Sequence, residues 1–248
     1  KHINSIKILS SMVHDVSSKQ INFLIGSAIK KNEKHIIGNL NINAANIALE
    51  NSLFQSFQEK CSLIFCDGKG IQLGAFLTGQ DVPPHVTYHT WMFELLEYCN
   101  KMKYSLFFLG SKPGIGEKAI SNINLKYPNL SIKCHHGYFN KEGKENSNVI
   151  KKINSFRPNI LIVGFGMPLQ EQWILSNMHS LEVNIFLNGG AYLEWISGNQ
   201  KQSPKWMTKF GLEWFYRFLK EPKRLFRRYI IGNPLFIYRL FKMHYFKK

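Results

Sequence analysis

"FFLGSKPGIGEKA", residues 107 to 119, is the stretch on which the fold turns. An apolar run stops at Gly110, a short loop carries Pro113, Gly114 and Gly116, and a helical pattern runs on to Tyr127. Strand, tight turn, helix is the unit of a parallel sheet. The same grammar recurs on both sides. "HIIGNL", "SLIFCD", "YSLFFLG", "LSIKCHH", "NILIVGFG" and "VNIFLNGG" are short apolar runs that each end in polar or glycine residues, as strands buried beneath helices do. Between them "NAANIALENSLFQSFQ", "TWMFELLEYCNKM", "PGIGEKAISNINLKY" and "LQEQWILSNMH" read as helices. The predicted fold is α/β: a Rossmann-like, mostly parallel sheet with helices on both faces. No internal repeat interrupts it.

With 248 residues and 44% apolar content the chain can fill one large core. Its four cysteines, Cys61, Cys66, Cys99 and Cys134, form no CxxC pair and no Cys/His zinc spacing, which predicts buried thiols in a reducing compartment. The opening "KHINSIKILSSMVHDVSS" is broken by polar residues and reads as no targeting signal. No apolar run approaches the roughly 20 residues that span a bilayer. Charge is uneven. From Lys201 onward thirteen Lys/Arg face only Glu213 and Glu221, so most of the net +16 lies in the last fifth of the chain. There Trp, Phe and Tyr alternate with the cations, and Pro222 and Pro234 divide the stretch into three expected helices. The expected division is a core over 1–199 and a basic helical appendage over 200–248. Such an appendage is either a helical cap packed on the core or a helix set on an anionic membrane surface.

Only three aspartates occur, Asp15, Asp67 and Asp81. No DxD is available to hold a divalent cation on a nucleotide diphosphate, and HExxH, GxSxG and GxxxxGK[ST] are absent. Metalloproteases, ordinary serine hydrolases and P-loop enzymes are excluded. A nicotinamide enzyme lacks its GxGxxG loop, and a nucleic-acid binder has only the basic tail to argue for it. The Gly110 to Gly116 loop opens a helix, where free N–H groups favour an anion by about 0.3–1 kcal/mol. "GFGMPLQEQW", residues 164 to 173, is a second such turn, with Gln170 able to hydrogen-bond a ligand and Glu171 suited to the positive helix end. The histidines of "HHGYF" are expected to be bonded to backbone. Asn39, Asn41, Asp67, Gly110, Gly166, Gln170, Gly189 and Gly190 all fall at carboxyl ends of strands, where ligands of open α/β sheets gather. Asp67 itself, before Gly68, is either a turn residue or a catalytic carboxylate.

Taken in order, "NLNINAANIA", "CDGKGI", "FFLGSKPGIGEKA", "YPNLSIKCHHGYF", "RPNILIVGFGMPLQEQWI", "NGGAYLEWISG" and "SPKWMTKFGLEWFYRFLKEPKRLFRR" resemble the WecG/TagA/CpsF glycosyltransferases, glycosyltransferase family 26, from Ile36 to Arg228. The resemblance implies a fold of the GT-E type. It implies inverting, metal-independent and cofactor-free transfer from a UDP-sugar, N-acetylmannosamine or its uronic acid and sometimes a glucosyl or other hexose unit. The acceptor would be a polyprenyl-diphosphate-linked saccharide in cell-surface polysaccharide synthesis. It places Asp67 on the catalytic base and Asn39, Asn41, His85, Gly110, Gly166 and Gln170 at the donor. Arg217, Arg224, Arg227 and Arg228 match arginines that reach the acceptor diphosphate. The expected setting is cytoplasmic and peripheral, on the inner membrane face, with an anionic surface as partner, no nucleic acid, and self-association left open. The chain departs from the family pattern at Asn39 in place of threonine, Leu169 in place of lysine, His85 in place of arginine and Thr90 in place of aspartate.

Overall fold

A computed structural model describes residues 3–200, 203–204, 206–207 and 211–245. The chain opens with an antiparallel hairpin, β1 (Ser5–Ile8) and β2 (Ser11–His14), followed by α1 (Ser18–Lys30). The six apolar runs then become six strands: β3 (His35–Leu40), β4 (Leu63–Cys66), β5 (Leu106–Gly110), β6 (Ile132–His135), β7 (Ile160–Gly164) and β8 (Ile185–Asn188). They form one sheet in the order β4-β3-β8-β7-β5-β6, and every pairing is parallel. The hairpin, which the sequence reading left without an element, covers the β4 edge: the Ile64 N–H donates to His14 Nδ1 at 3.0 Å. An edge strand capped in this way offers fewer free backbone groups to another chain. The same Nδ1 lies 3.2 Å from the Ile64 carbonyl oxygen, and burial pushes the His14 ring below its ordinary value.

Alternation along β3 sorts the helices. Ile37 packs with α1, α5 (Tyr88–Met102), α6 (Ile115–Lys126) and α9 (Tyr192–Ile196) on one face. Ile36 faces the other way, with α3 (Ser52–Lys60), α7 (Gly143–Phe156) and α8 (Leu169–Asn177). Leu40 shares that second face with α2 (Ile42–Glu50) and α4 (Lys69–Leu77). The neighbours β3 and β8 therefore send their following helices, α2 and α9, to opposite faces. A crevice opens at such a switch point. Glycine is needed beside it: a Cβ on Gly110 would lie 2.5 Å from the Gly164 carbonyl oxygen, and one on Gly164 would lie 2.5 Å from that of Gly190. The ends of β5, β7 and β8 thus approach backbone to backbone.

Two expectations need correction. "NAANIALENSLFQSFQ" is two helices, α2 and α3, because Asn51 leaves the helical region (φ −133°, ψ 107°) and its Oδ1 accepts the Phe54 N–H at 2.9 Å to cap the second. The tail is not broken at Pro234. After α10 (Glu213–Lys220), Pro222 opens α11 (Pro222–Phe226), and helix then continues through a π-helical turn, Arg227–Ile231, into α12 (Gly232–Tyr245). A proline has no N–H and crowds the carbonyl four residues back, and widening the preceding turn to π relieves that crowding without ending the helix. Phe236 and Leu240, one helical turn apart on α12, are buried in the same cluster as α2 and α4.

Candidate active site

The question posed by Asp67 has a geometric answer. Its N–H extends the sheet ladder to the Leu40 carbonyl at 2.9 Å, and Gly68 then takes φ +125°, a left-handed value that an L side chain resists. The α4 helix starts at that glycine with no side-chain cap, so the carboxylate is not spent on the turn. Instead Asp67 Oδ2 accepts from Asn39 Nδ2 at 2.6 Å and from Asn41 Nδ2 at 3.4 Å. Asn41 is fixed by its other end, because its Oδ1 caps α2 through the Ala44 N–H at 3.0 Å.

Asp67 opens into a cavity of about 790 Å³. That is room for a nucleotide-sized ligand or an amphiphile headgroup. Its floor is the β3–α2 turn (Asn41, Ile42, Asn43) and the first turns of α4. One side is the segment after α4, tied to β4 by the Val86 N–H donating to the Cys66 carbonyl at 2.9 Å, which places His85 and Thr87 on the wall. The roof comes from the basic tail: Glu213, Trp214 and Arg217 of α10, Arg228, Tyr229 and Ile230 of the π turn, and Asn233, Pro234 and Ile237 of α12. The π turn matters here. It turns Arg228 and Tyr229 inward and leaves Arg227 exposed.

Electrostatics set the character of the cavity. Burial pushes the Arg228 guanidinium below its ordinary value, and its Nε is buried with no hydrogen-bond partner among the described residues. Arg217 Nε is in the same condition. Each guanidinium lies near an aromatic face, Arg217 with its Cζ 5.4 Å from the Trp195 centroid and Arg228 5.4 Å from that of Tyr229. Buried cations without a full set of partners are costly unless an anion completes them. Burial likewise pushes His85 below its ordinary value, against the pull of Asp67 and Glu213, and its Nε2 is also buried without a partner among the described residues. His85 is thus a neutral hydrogen-bonding group rather than a third cation.

The structure brings Asn41, Asp67, His85, Arg217 and Arg228 to one cavity, with Asn39 behind the carboxylate. It does not bring the others there. Gly110 and Gly166 lie outside the lining, and Arg224 is exposed and paired with Glu221 at 2.5 Å. Gln170 is fully engaged inside the protein: its Oε1 accepts the N–H groups of Gly166 (3.1 Å) and Gly190 (3.2 Å), and its Nε2 donates to Glu171 Oε1 at 2.7 Å. Glu171 has no exposed surface and also accepts from Asn188 Nδ2 at 2.8 Å, so it ties the ends of β7 and β8 rather than serving the helix dipole. Thr90 shares the start of α5 with Thr87, their hydroxyls 2.5 Å apart. His135 and His136 bond to nearby backbone, as expected. Sequence reading missed Trp195, Trp214, Tyr229 and Leu73 as lining groups. The aromatic spacing of "EWFYR" was the available signal, but which rings face inward depends on the π turn.

Among the described residues no three His, Cys, Asp or Glu side chains cluster as a metal site, and no helix is long and apolar enough to cross a membrane. A family model described as the glycosyl transferase WecG/TagA/CpsF family matches residues 6–248. The N-acetylglucosaminyldiphosphoundecaprenol N-acetyl-beta-D-mannosaminyltransferases of Staphylococcus aureus strains MRSA252, MW2 and NCTC 8325 are each 30% identical to this chain over 202 residues, 82% of this chain and 78% of theirs. The resemblance read from the motifs is therefore a membership: this chain belongs to the WecG/TagA/CpsF glycosyltransferase family.

Proposed function

We propose that the chain moves N-acetylmannosamine, or its uronic acid, from a UDP-sugar to a polyprenyl-diphosphate-linked saccharide, with inversion and without a metal ion. The observation that carries this reading is the meeting in one cavity of the Asp67 carboxylate with two half-buried guanidinium groups whose buried Nε atoms have no partner among the described residues. The carboxylate suits a base and the guanidinium forks suit diphosphate oxygens. In the reaction the acceptor hydroxyl oxygen bonds to the anomeric carbon from the face away from UDP. Its proton passes to Asp67, and the bond from that carbon to the UDP oxygen breaks with its electron pair leaving on the diphosphate. A positioned general base contributes about 10²–10⁴ in rate. Preorganised cations around the reacting groups supply the electrostatic part.

The names of the Staphylococcus aureus relatives support the lipid-linked acceptor and the mannosaminyl donor. His85, neutral where the family carries arginine, leaves the donor phosphates one cation fewer, and this keeps a glucosyl or other UDP-hexose donor as the second reading. We further assign residues 200–248 as a membrane-associating appendage. Lys220, Lys223, Arg224 and Arg227 are exposed beside exposed Phe215, Leu219, Phe226 and Ile231, the mixture that suits an anionic lipid surface. The test of the activity is UDP release from a panel of UDP-N-acetylmannosamine, its uronic acid, UDP-glucose and UDP-GlcNAc, with polyprenyl-diphosphate-GlcNAc as acceptor and with EDTA present. Release with a mannosaminyl donor supports the reading. Release only with glucose moves it to the second reading, and strict dependence on an added divalent ion contradicts the metal-free step.

A further inference from the structure

The resemblance puts Asn39 among the donor ligands, but its surroundings give it another task. Asn39 sits at the penultimate position of β3, in register with Phe65 of β4, and only 5% of it is exposed. It does not line the cavity. Its Nδ2 donates to Asp67 Oδ2 at 2.6 Å, the shortest bond that carboxylate makes, whereas Asn41 reaches the same oxygen at 3.4 Å. Asp67 Oδ1 has no hydrogen-bond partner among the described residues. Asn39 Oδ1, the side-chain amide oxygen, is buried and has no partner among the described residues either. Turning the amide over would set that oxygen against the carboxylate, so the donor orientation is the stable one.

A second observation shows what the bond prevents. Asp67 shares a cavity with Arg217 and Arg228 and lies near enough to Arg228 to act on its charge, yet it forms no ion pair among the described residues. A carboxylate free to rotate in the same cavity as a desolvated guanidinium is drawn toward it. That pairing would occupy the base and the diphosphate-binding cation together. We propose that Asn39 is a positioning residue that anchors Oδ2 of Asp67 from the rigid end of β3, keeping the carboxylate off Arg228 and presenting Oδ1 as the atom that takes the acceptor proton.

This inference rests on the transferase reading given above, so its test has one arm that needs no turnover. With only three aspartates in the chain, protein labelled with ¹³C at the aspartate carboxyl carbon gives three resonances, and loss of one in Asp67→Asn assigns it. In Asn39→Ala the Asp67 resonance is expected to shift from its wild-type position. Asn39→Thr, which keeps a short donor, is expected to restore most of the wild-type behaviour. In the kinetic arm Asn39→Ala lowers kcat about a hundredfold, the scale of a misplaced reacting group, with KM for the UDP-sugar within about twofold. Asn39→Thr recovers most of that loss. A donor ligand would behave the other way, with KM raised and kcat kept. That pattern, an unshifted Asp67 resonance in Asn39→Ala, or no recovery in Asn39→Thr, overturns the proposal. If no UDP-sugar is turned over by wild type, the carboxyl resonance still decides whether Asn39 holds Asp67.

Discussion

Replacing Phe236 with alanine will loosen the roof of the cavity more than removing any single polar tie of α12. Phe236 is fully buried among residues of α2 and α4, its ring so close that a Cβ on Gly74 would lie 3.0 Å from Phe236 Cζ. Truncating such a ring costs about 3–5 kcal/mol, the lost transfer energy plus the cavity left behind. The polar ties are smaller. Asn46 Nδ2 donates to the Gly232 carbonyl at 2.8 Å, Arg239 pairs with Glu50, and the Tyr245 hydroxyl donates to the Leu77 carbonyl at 2.9 Å. A hydrogen bond of this kind contributes about 0.5–1.5 kcal/mol net, and a half-exposed ion pair about as much. The assay is native-state hydrogen exchange, comparing amides of 222–245 with those of β7. In Phe236→Ala the roof amides are expected to exchange about two orders of magnitude faster, since about 3 kcal/mol corresponds to that factor. Those of β7 should change far less. Equal acceleration of both sets, or a larger effect from Asn46→Ala, would refute the reasoning that α12 is held as a separate roof by its apolar face.

Three further outcomes follow from the same structure. Arg228→Gln is expected to lower kcat/KM for the lipid acceptor about tenfold to a hundredfold, the scale of one charge-assisted contact, with UDP affinity unchanged in calorimetry. An equal loss with both ligands would move Arg228 to the donor side. Glu171 tests a pH dependence. Burial raises its carboxyl above the ordinary range, so the stability this group contributes is full below that range and is lost as pH rises through the folded value. Denaturant unfolding from pH 4 to 8 should therefore show Glu171→Gln gaining on wild type with rising pH, and a flat difference would contradict the assignment. Reversing the exposed Lys220, Lys223 and Arg227 to glutamate should abolish sedimentation with anionic vesicles, since each cation near such a surface contributes about 1 kcal/mol. Unchanged binding would exclude that face. Deleting the tail is the poorer experiment, because it strips Phe236 and Leu240 from the core.

The sheet was legible because all six strands are short apolar runs that stop at polar or glycine residues, a pattern that buried parallel strands leave in any sequence. The hairpin was not, since "SIKI" and "SMVH" alternate weakly and gain their meaning only by covering the β4 edge. Asn51 hid a helix break because asparagine inside a helical pattern is tolerated until its side chain finds an N–H to cap. Asp67 could be singled out because aspartate is so scarce here. What separated it from a turn residue was the capless start of α4 and the two asparagine amides, which are tertiary facts. Gln170 shows the opposite limit. A glutamine at a strand-to-helix turn reads as a ligand group, yet both ends of its amide are used to tie Gly166, Gly190 and Glu171 together. Among the four arginines, sequence offered no way to tell Arg228, turned inward by the π segment, from Arg227 beside it.

The central claim is that one carboxylate takes the proton. Single-turnover transfer by Asp67→Asn, from UDP-N-acetylmannosamine to polyprenyl-diphosphate-GlcNAc, measures it most directly. The account predicts at least about a hundredfold loss of rate, with UDP affinity within about twofold of wild type and an unchanged melting transition. Transfer by that variant at the wild-type rate would contradict it.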